Sequence, residues 1–253
     1  MGGSRDFSGV NQYLTVSDHA DFSPALTAFS ITGWWYPDVT TVGGWIGKYG
    51  SSLEWCVGST NGGALYWFVY DNTTNGYRGR YASTGWTAGS WQRFAFTYDG
   101  GTSASSCEIW RNGVQIDDND FSSGTFTTIR DTSQVVTVGQ ASGWSGTEFN
   151  GRIAHLQFFK KKLSEAECEE TLFTPGDHTD NVISYLKLTG LDTTEPDMSG
   201  NGHSAANTGT TEYADGPPIE WSMARMGHWA TPAAPPSGTG FPFQLYYGGG
   251  LSV

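Results

Sequence analysis

The chain has 253 residues, 25 acidic against 13 basic for a net charge of −12, with 15% charged side chains, 15% aromatics and 35 glycines. That balance excludes the broad basic face a duplex nucleic acid needs and disfavours an anionic membrane surface. Few charges with many rings and glycines suit short strands and tight turns, and exclude a helical bundle, a coiled coil or a disordered chain.

In chain order, the alternating runs predict strands at Tyr13–Val16, Phe29–Tyr36, Leu53–Val57, Leu65–Tyr70, Trp91–Tyr98, Cys107–Arg111, Val135–Val138 and Arg152–Phe159. Each is rich in β-branched or aromatic residues. Asn61-Gly62-Gly63, Asp99-Gly100-Gly101 and Asn112-Gly113 are turn signals between them. Eight or more short strands with such turns mean an all-β sandwich, jelly roll or barrel. Ser164-Glu165-Ala166-Glu167 is a capping box that starts one helix, stapled by Leu163 and Cys168 and ending near Phe173. Lys160-Lys161-Lys162 before it reads as a solvated turn. Val182–Leu188 is a further strand, and Glu195 to His203 is a turn-dense loop in which Asp197 makes an Asx turn. Residues 221–253 change character, with Arg225 as their one charge among Trp221, Trp229, Phe241, Phe243, Tyr246, Tyr247 and four prolines.

The order of these runs resembles the concanavalin A-like, laminin-G-like jelly roll over roughly residues 4–175. The carriers are Asp6-Phe7-Ser8-Gly9 with Gln12 to Val16, Phe29 to Pro37, Gly89-Ser90-Trp91-Gln92-Arg93-Phe94-Ala95-Phe96-Thr97-Tyr98-Asp99-Gly100, and Ile109 to Gly113. Val136 to Gln140, Phe149 to Ala154 and Leu163 to Glu167 complete the series. The resemblance implies two antiparallel sheets face to face, one of them concave. It implies function only loosely, because the fold carries lectins, adhesion modules, glycan-cleaving enzymes and structural domains. The organisation expected is a jelly roll over residues 1–178, a strand and turn-rich extension packed on it over 179–220, and an extended C-terminal arm over 221–253.

Glycoside cleavage needs two facing carboxylates. The glucanase branch of the resembled family keeps them on one strand as Glu-x-Asp-x-x-Glu. Glu195-Pro196-Asp197-Met198-Ser199-Gly200 lacks the third carboxylate and sits in a loop. No nucleophile elbow, P-loop or His-Glu-x-x-His motif occurs, the five histidines are scattered, and His155 reads as packing. Enzymatic activity is therefore not expected. Cys56, Cys107 and Cys168 read as buried or free thiols.

Sugar binding uses ring faces for stacking and planar polar groups for hydroxyls. Trp45, Trp86 and Trp144 each follow a glycine at a loop or strand end, and Tyr77, Arg78 and Arg80 sit between strands beside Asn75. The glycan-binding set expected is Trp86, Trp144, Tyr77, Arg78, Arg80 and Asn75. Calcium needs oxygen ligands from loops, and Asp18, Asp21 and Asp99 are the candidates, with Asp117-Asp118-Asn119-Asp120 as a further acidic cluster.

An uncharged aromatic arm suits contact with other protein subunits, and the N-terminus has no apolar signal-peptide region. The leading expectation is a non-catalytic structural or surface-recognition protein of a multisubunit particle, a phage virion component, made in the cytoplasm and displayed on the particle surface. A free carbohydrate-binding lectin is the alternative, and a polysaccharide-active enzyme the third.

Overall fold

Strands that alternate a ring with a small or polar residue hide one face each, and such faces are buried only by pairing two sheets. The structure, a computed structural model, describes residues 3–40, 43–60, 62–143, 147–170, 180–190 and 193–219. Its strands are β1 (Ser4–Ser8), β2 (Tyr13–Val16), β3 (Phe29–Pro37), β4 (Gly43–Tyr49), β5 (Leu53–Ser59) and β6 (Leu65–Asp71). Then follow β7 (Gly76–Ala82), β8 (Gln92–Tyr98), β9 (Cys107–Arg111), β10 (Val114–Gln115), β11 (Asn119–Ser123) and β12 (Val136–Val138). The last are β13 (Thr147–Glu148), β14 (Asn150–Phe159), β15 (Val182–Leu186), β16 (Thr194–Glu195), β17 (Ala205–Thr208) and β18 (Thr211–Tyr213).

One sheet runs β10-β9-β8-β3-β14-β1-β18, with β15 also on β14; the other runs β11-β7-β6-β5-β4-β12-β2-β17-β16, with β13 parallel to β4. This is the two-sheet antiparallel sandwich expected of a jelly roll. Between the sheets lie Trp35, Trp45, Trp55 and Trp67, all essentially inaccessible. Three of these four buried indoles reach an acceptor, and Trp35 Nε1 reaches none among the described residues. Trp67 Nε1 donates across the sandwich to Thr97 O at 2.8 Å, Trp55 Nε1 to Phe22 O at 2.8 Å, and Trp45 Nε1 to Ser59 Oγ at 3.1 Å. The three cysteines are buried and form no disulfide.

Residues 182–213 are woven into both sheets: β18 pairs β1, β17 pairs β2 and β15 pairs β14. The segment expected to lie on the jelly roll thus supplies part of each sheet. Asp197 makes the expected turn, with Oδ1 accepting from Ser199 N at 3.0 Å. Helix α1 (Glu165–Glu170) is capped as expected: Ser164 N donates to Glu167 Oε2 at 2.9 Å and Glu167 N to Ser164 Oγ at 3.4 Å. Leu163 and Cys168 share one apolar cluster with Phe159 and Trp110. Its expected end near Phe173 lies outside the described residues. The Lys160–162 turn is fastened: Lys160 pairs with Asp21 at 2.6 Å, Lys161 with Glu167, and Lys162 with Glu108 at 2.6 Å. The arm residues Trp221, Trp229, Phe241, Phe243, Tyr246 and Tyr247 also lie outside the described residues.

His155 marks a handover in β14. Before it, β14 pairs with β1 (Arg5 opposite Ile153); after it, with β15 (Leu156 opposite Leu186). The switch needs a bulge, and His155 takes φ +52° to make it. Its Nδ1 meets Tyr185 Oη at 2.7 Å. Burial first, then the charges of Arg93 and Lys187, push the imidazole down to about 4. The folded ring stays neutral where an unfolded histidine, with its pKa of about 6.5, already binds a proton. No penalty exists above that value, and stability is lost as pH falls from about 6.5 towards 4. His155→Asn, whose side chain tolerates positive φ, should remove about 1–2 kcal/mol of the stability difference between pH 7 and pH 5. Urea midpoints for both proteins at the two pH values check this; parallel losses in the two proteins would reject the assignment.

Candidate functional site

The second sheet has an outer face as well as a core face, and the register shows what lies on it. One row across the sheet reads Phe121, Gly79, Phe68, Cys56, Gly47, Thr137, Thr15. Stepping two residues along each strand gives Tyr77 opposite Tyr70 on one side, and Tyr81 opposite Tyr66 on the other. The result is a floor of small residues and Phe68 between two tyrosine pairs. Tyr70 and Tyr77 are parallel, 6.3 Å apart at 11°; Tyr66 and Tyr81 are 5.1 Å apart at 17°. Phe121 closes one end, with its centroid 4.7 Å from Tyr77 and 4.8 Å from Tyr66. Tyr49, edge-on to Phe68 at 5.4 Å, stands at the other.

Gly79 makes this packing possible, since a Cβ there would sit 2.3 Å from Phe68 Cβ. Around Phe68, which is buried, Tyr49, Tyr66, Tyr70, Tyr77, Tyr81 and Phe121 remain half-buried. Burial first, then Cys56, Tyr70 and Tyr77, raise the Tyr49 phenol above the usual range, so it keeps its proton. A half-buried tyrosine offers an apolar ring face and a hydroxyl that both donates and accepts.

The sequence-predicted residues divide around this face. Tyr77, Arg78 and Arg80 were expected between strands; they lie within β7, where Gly76, Gly79 and two arginines hide the alternation. Tyr77 is on the outer face. Arg78 and Arg80 point the other way, and both are engaged. Arg78 donates to Thr102 O at 3.0 Å, Tyr77 O at 2.7 Å, Ser123 O at 3.1 Å and Gly124 O at 3.1 Å. Arg80 is held by Asp117 Oδ2 at 2.7 Å and by Asp120. Asn75 is in the β6–β7 turn at φ +56°, and its Oδ1 accepts from Tyr70 Oη at 3.3 Å. Trp86 is no exposed platform: it is 6% accessible and packs edge-on against Trp45 at 5.5 Å. Trp45 itself lies in β4 inside the core. Trp144 lies outside the described residues; Gly143 before it abuts the Tyr49 ring.

The carboxylates of these strands have structural partners. Glu54 Oε1 accepts from Lys48 Nζ at 2.7 Å and Thr132 N at 2.8 Å. Asp71 accepts from Thr73 N at 3.0 Å and Thr127 N at 3.1 Å. Burial alone would raise the Asp71 pKa, but the Thr127 hydroxyl, which also donates to it, and these backbone bonds outweigh burial and hold the carboxyl well below the usual range. Asp120 is taken by Arg80.

The three aspartates proposed for calcium do not share a cage. Asp18 faces Lys48 Nζ at 2.8 Å, Asp99 Oδ1 accepts from Gly101 N at 2.7 Å, and Asp21 pairs with Lys160. Among the described residues, the His, Cys, Asp and Glu ligands that do converge are His19, Asp21 and His203, with ligand atoms all within 4.8 Å. Two of the histidines that look scattered in the sequence are thus neighbours. No spacing rule links positions 184 residues apart, so only the fold reveals the group.

The model of the concanavalin A-like lectin/glucanases superfamily matches residues 8–169. The fold is similar to that of a candidate carbohydrate binding protein from Bacteroides ovatus, at TM-score 0.65 and 14% identity over 87% of this chain. The chain spans 62% of that protein's length. It is also similar to a heptameric SAP-like pentraxin from Limulus polyphemus, at TM-score 0.51 and 13% identity, covering 82% of this chain and 96% of the pentraxin. No curated protein matches the sequence.

Proposed function

Since the chain belongs to the concanavalin A-like lectin/glucanases superfamily, we propose that it is a non-catalytic glycan-binding module whose contact surface is the ring-lined outer face of β6 and β7. The observation that carries the reading is the row of half-buried rings on a single sheet face, Tyr66, Tyr70, Tyr77 and Tyr81 with their hydroxyls and the apolar ring of Phe121 beside them. The C–H face of a pyranose is apolar and weakly positive, and it stacks on the negative face of an aromatic ring. The tyrosine hydroxyls and Asn75 at the rim then meet the sugar hydroxyls, with Trp144 a further candidate by its place in the chain. The non-catalytic reading is supported by the acidic residues of β4–β7 and β11: Glu54, Asp71 and Asp120 are each bound to a structural partner rather than paired across a groove.

The test is retention on a glycan array by the protein and by its Tyr66→Ala/Tyr77→Ala variant, with near-ultraviolet circular dichroism confirming the fold. Anchor rings at such surfaces are worth about 2 kcal/mol or more each, so affinity should fall at least about 30-fold if one of the two is an anchor and roughly 700-fold if both are. A folded variant that binds as well as the parent rejects this face, and a parent that retains no glycan rejects the function. Membership of a multisubunit particle, the virion reading included, rests on the composition of residues 221–253, which lie outside the described residues.

A further inference from the structure

We propose that His19, Asp21 and His203 form a binding site for a divalent transition-metal ion of the zinc class, which would fasten the turn between β2 and β3 to the loop preceding β17. The site is separate in residues from the aromatic face and does not depend on glycan binding.

The geometry carries it. His19 Nδ1 lies 3.4 Å and His203 Nε2 3.3 Å from the same oxygen, Asp21 Oδ2. Zinc binds imidazole nitrogen and carboxylate oxygen at roughly 2.0–2.1 Å, so neighbouring ligands of a tetrahedral ion stand about 3.3–3.4 Å apart. Two edges of that tetrahedron are therefore already formed. The third, between the two imidazoles, closes by rotation of His19, whose side chain is 53% accessible. Two imidazoles and one carboxylate suit zinc, cobalt or nickel and not calcium, which wants six or more oxygens.

The ligands are positioned from outside the group. Lys160 Nζ holds Asp21 Oδ1 at 2.6 Å, which leaves Oδ2 as the oxygen facing both imidazoles. Such outer contacts orient ligating side chains. His203 N donates to Asp197 Oδ2 at 2.9 Å, and the His203 ring is clamped edge-on by Phe22 at 5.0 Å. His19 caps the short turn Ala20–Phe22, its Nδ1 accepting from Asp21 N at 3.2 Å. That bond is long and exposed, so exchanging it for a metal bond sacrifices little. A fourth position on the His19 side faces solvent and takes water, as in an open zinc site.

The experiment uses the full chain, stripped with chelator and titrated calorimetrically with zinc chloride, alone and in excess calcium chloride. His19→Ala and Asp21→Ala are titrated alongside, and cobalt(II) absorption reports coordination. The expected result is one saturable zinc site that calcium does not displace, weakened at least about 100-fold in His19→Ala, since even outer-shell losses cost 10–100-fold. A cobalt spectrum of a four-coordinate centre should vanish with the same variant. At a hundredfold excess over Kd, zinc should raise Tm by about 5–10 °C. His19 is exposed, so its variant keeps the fold. No saturable zinc binding, equal binding by folded His19→Ala, or displacement by calcium would each overturn the proposal.

Discussion

Arg5→Ala is expected to lower the unfolding free energy by about 3–5 kcal/mol, the range for stripping one partner from a buried ion pair. Arg5 is on β1 and Glu195 on β16, and both side chains are 1% accessible. Arg5 Nε donates to Glu195 Oε1 at 2.9 Å, and Nη1 to Thr210 Oγ1 at 3.3 Å; Gly190 N donates to the same Glu195 oxygen at 2.9 Å. Without the guanidinium, the carboxylate keeps a backbone donor but no countercharge, far from water. Against a total stability of about 5–15 kcal/mol, that is a large fraction. Replacing both partners with apolar residues, Arg5→Met with Glu195→Leu, removes the stranded charge and should recover most of the loss. Chemical denaturation of the parent, Arg5→Met, Glu195→Leu and the double variant closes a cycle that measures the coupling. A loss below about 1 kcal/mol in the single variant would show that water reaches Glu195 once the arginine is gone.

Lys48→Met should cost a similar 3–5 kcal/mol. Lys48 projects from β4 with no accessible side-chain surface. Its ammonium donates to Glu54 Oε1 at 2.7 Å, Ser23 Oγ at 2.6 Å and Thr132 O at 3.1 Å, and pairs with Asp18 Oδ1 at 2.8 Å. Methionine keeps the stem and loses the charge. Asp18 can turn to solvent; Glu54, fully buried, cannot, so most of the cost falls there. Asp131→Ala is the comparison, because its carboxylate is 61% accessible and 3.6 Å from the ammonium. Exposed pairs of that kind are worth about 0–1 kcal/mol. Equal losses in the two variants would mean that Lys48 acts through loop attachment and not through the buried carboxylate.

What could be read before folding was whatever local pattern dictates. Phe29–Tyr36 and Leu65–Tyr70 announce themselves because alternation and ring content agree, and the capping box at Ser164 is local chemistry. β4 and β7 escaped because glycines interrupt their alternation, and two of those glycines are there for tertiary reasons: Gly79 admits Phe68 and Gly44 admits the backbone of Ala141. β11, Asn119–Ser123, is a polar edge strand that owes its shape to β7. Tyr77 was found as a ring beside a turn, but its partners Tyr66, Tyr70 and Phe121 depend on register, which no single strand encodes. Trp86 misled because a glycine before a tryptophan says nothing of depth. Arg78 and Arg80 misled because a charged side chain suggests solvent, and here both satisfy carbonyls and aspartates at the sheet margin.

The placement of β1 sets a clock. Its two neighbours are β14 and β18, so Arg5 waits for Ile153 and then for Glu212 before it is paired on both sides. At a synthesis rate of about 5–20 residues per second, the ribosome needs roughly 10–40 s to deliver both. Until β14 emerges β1 has no partner, and until β18 follows it keeps one open edge, a template for any extended segment nearby. Closure of β1 between its neighbours is therefore an event that follows synthesis of nearly the whole domain, and crowded translation of the chain exposes an edge that the finished form covers.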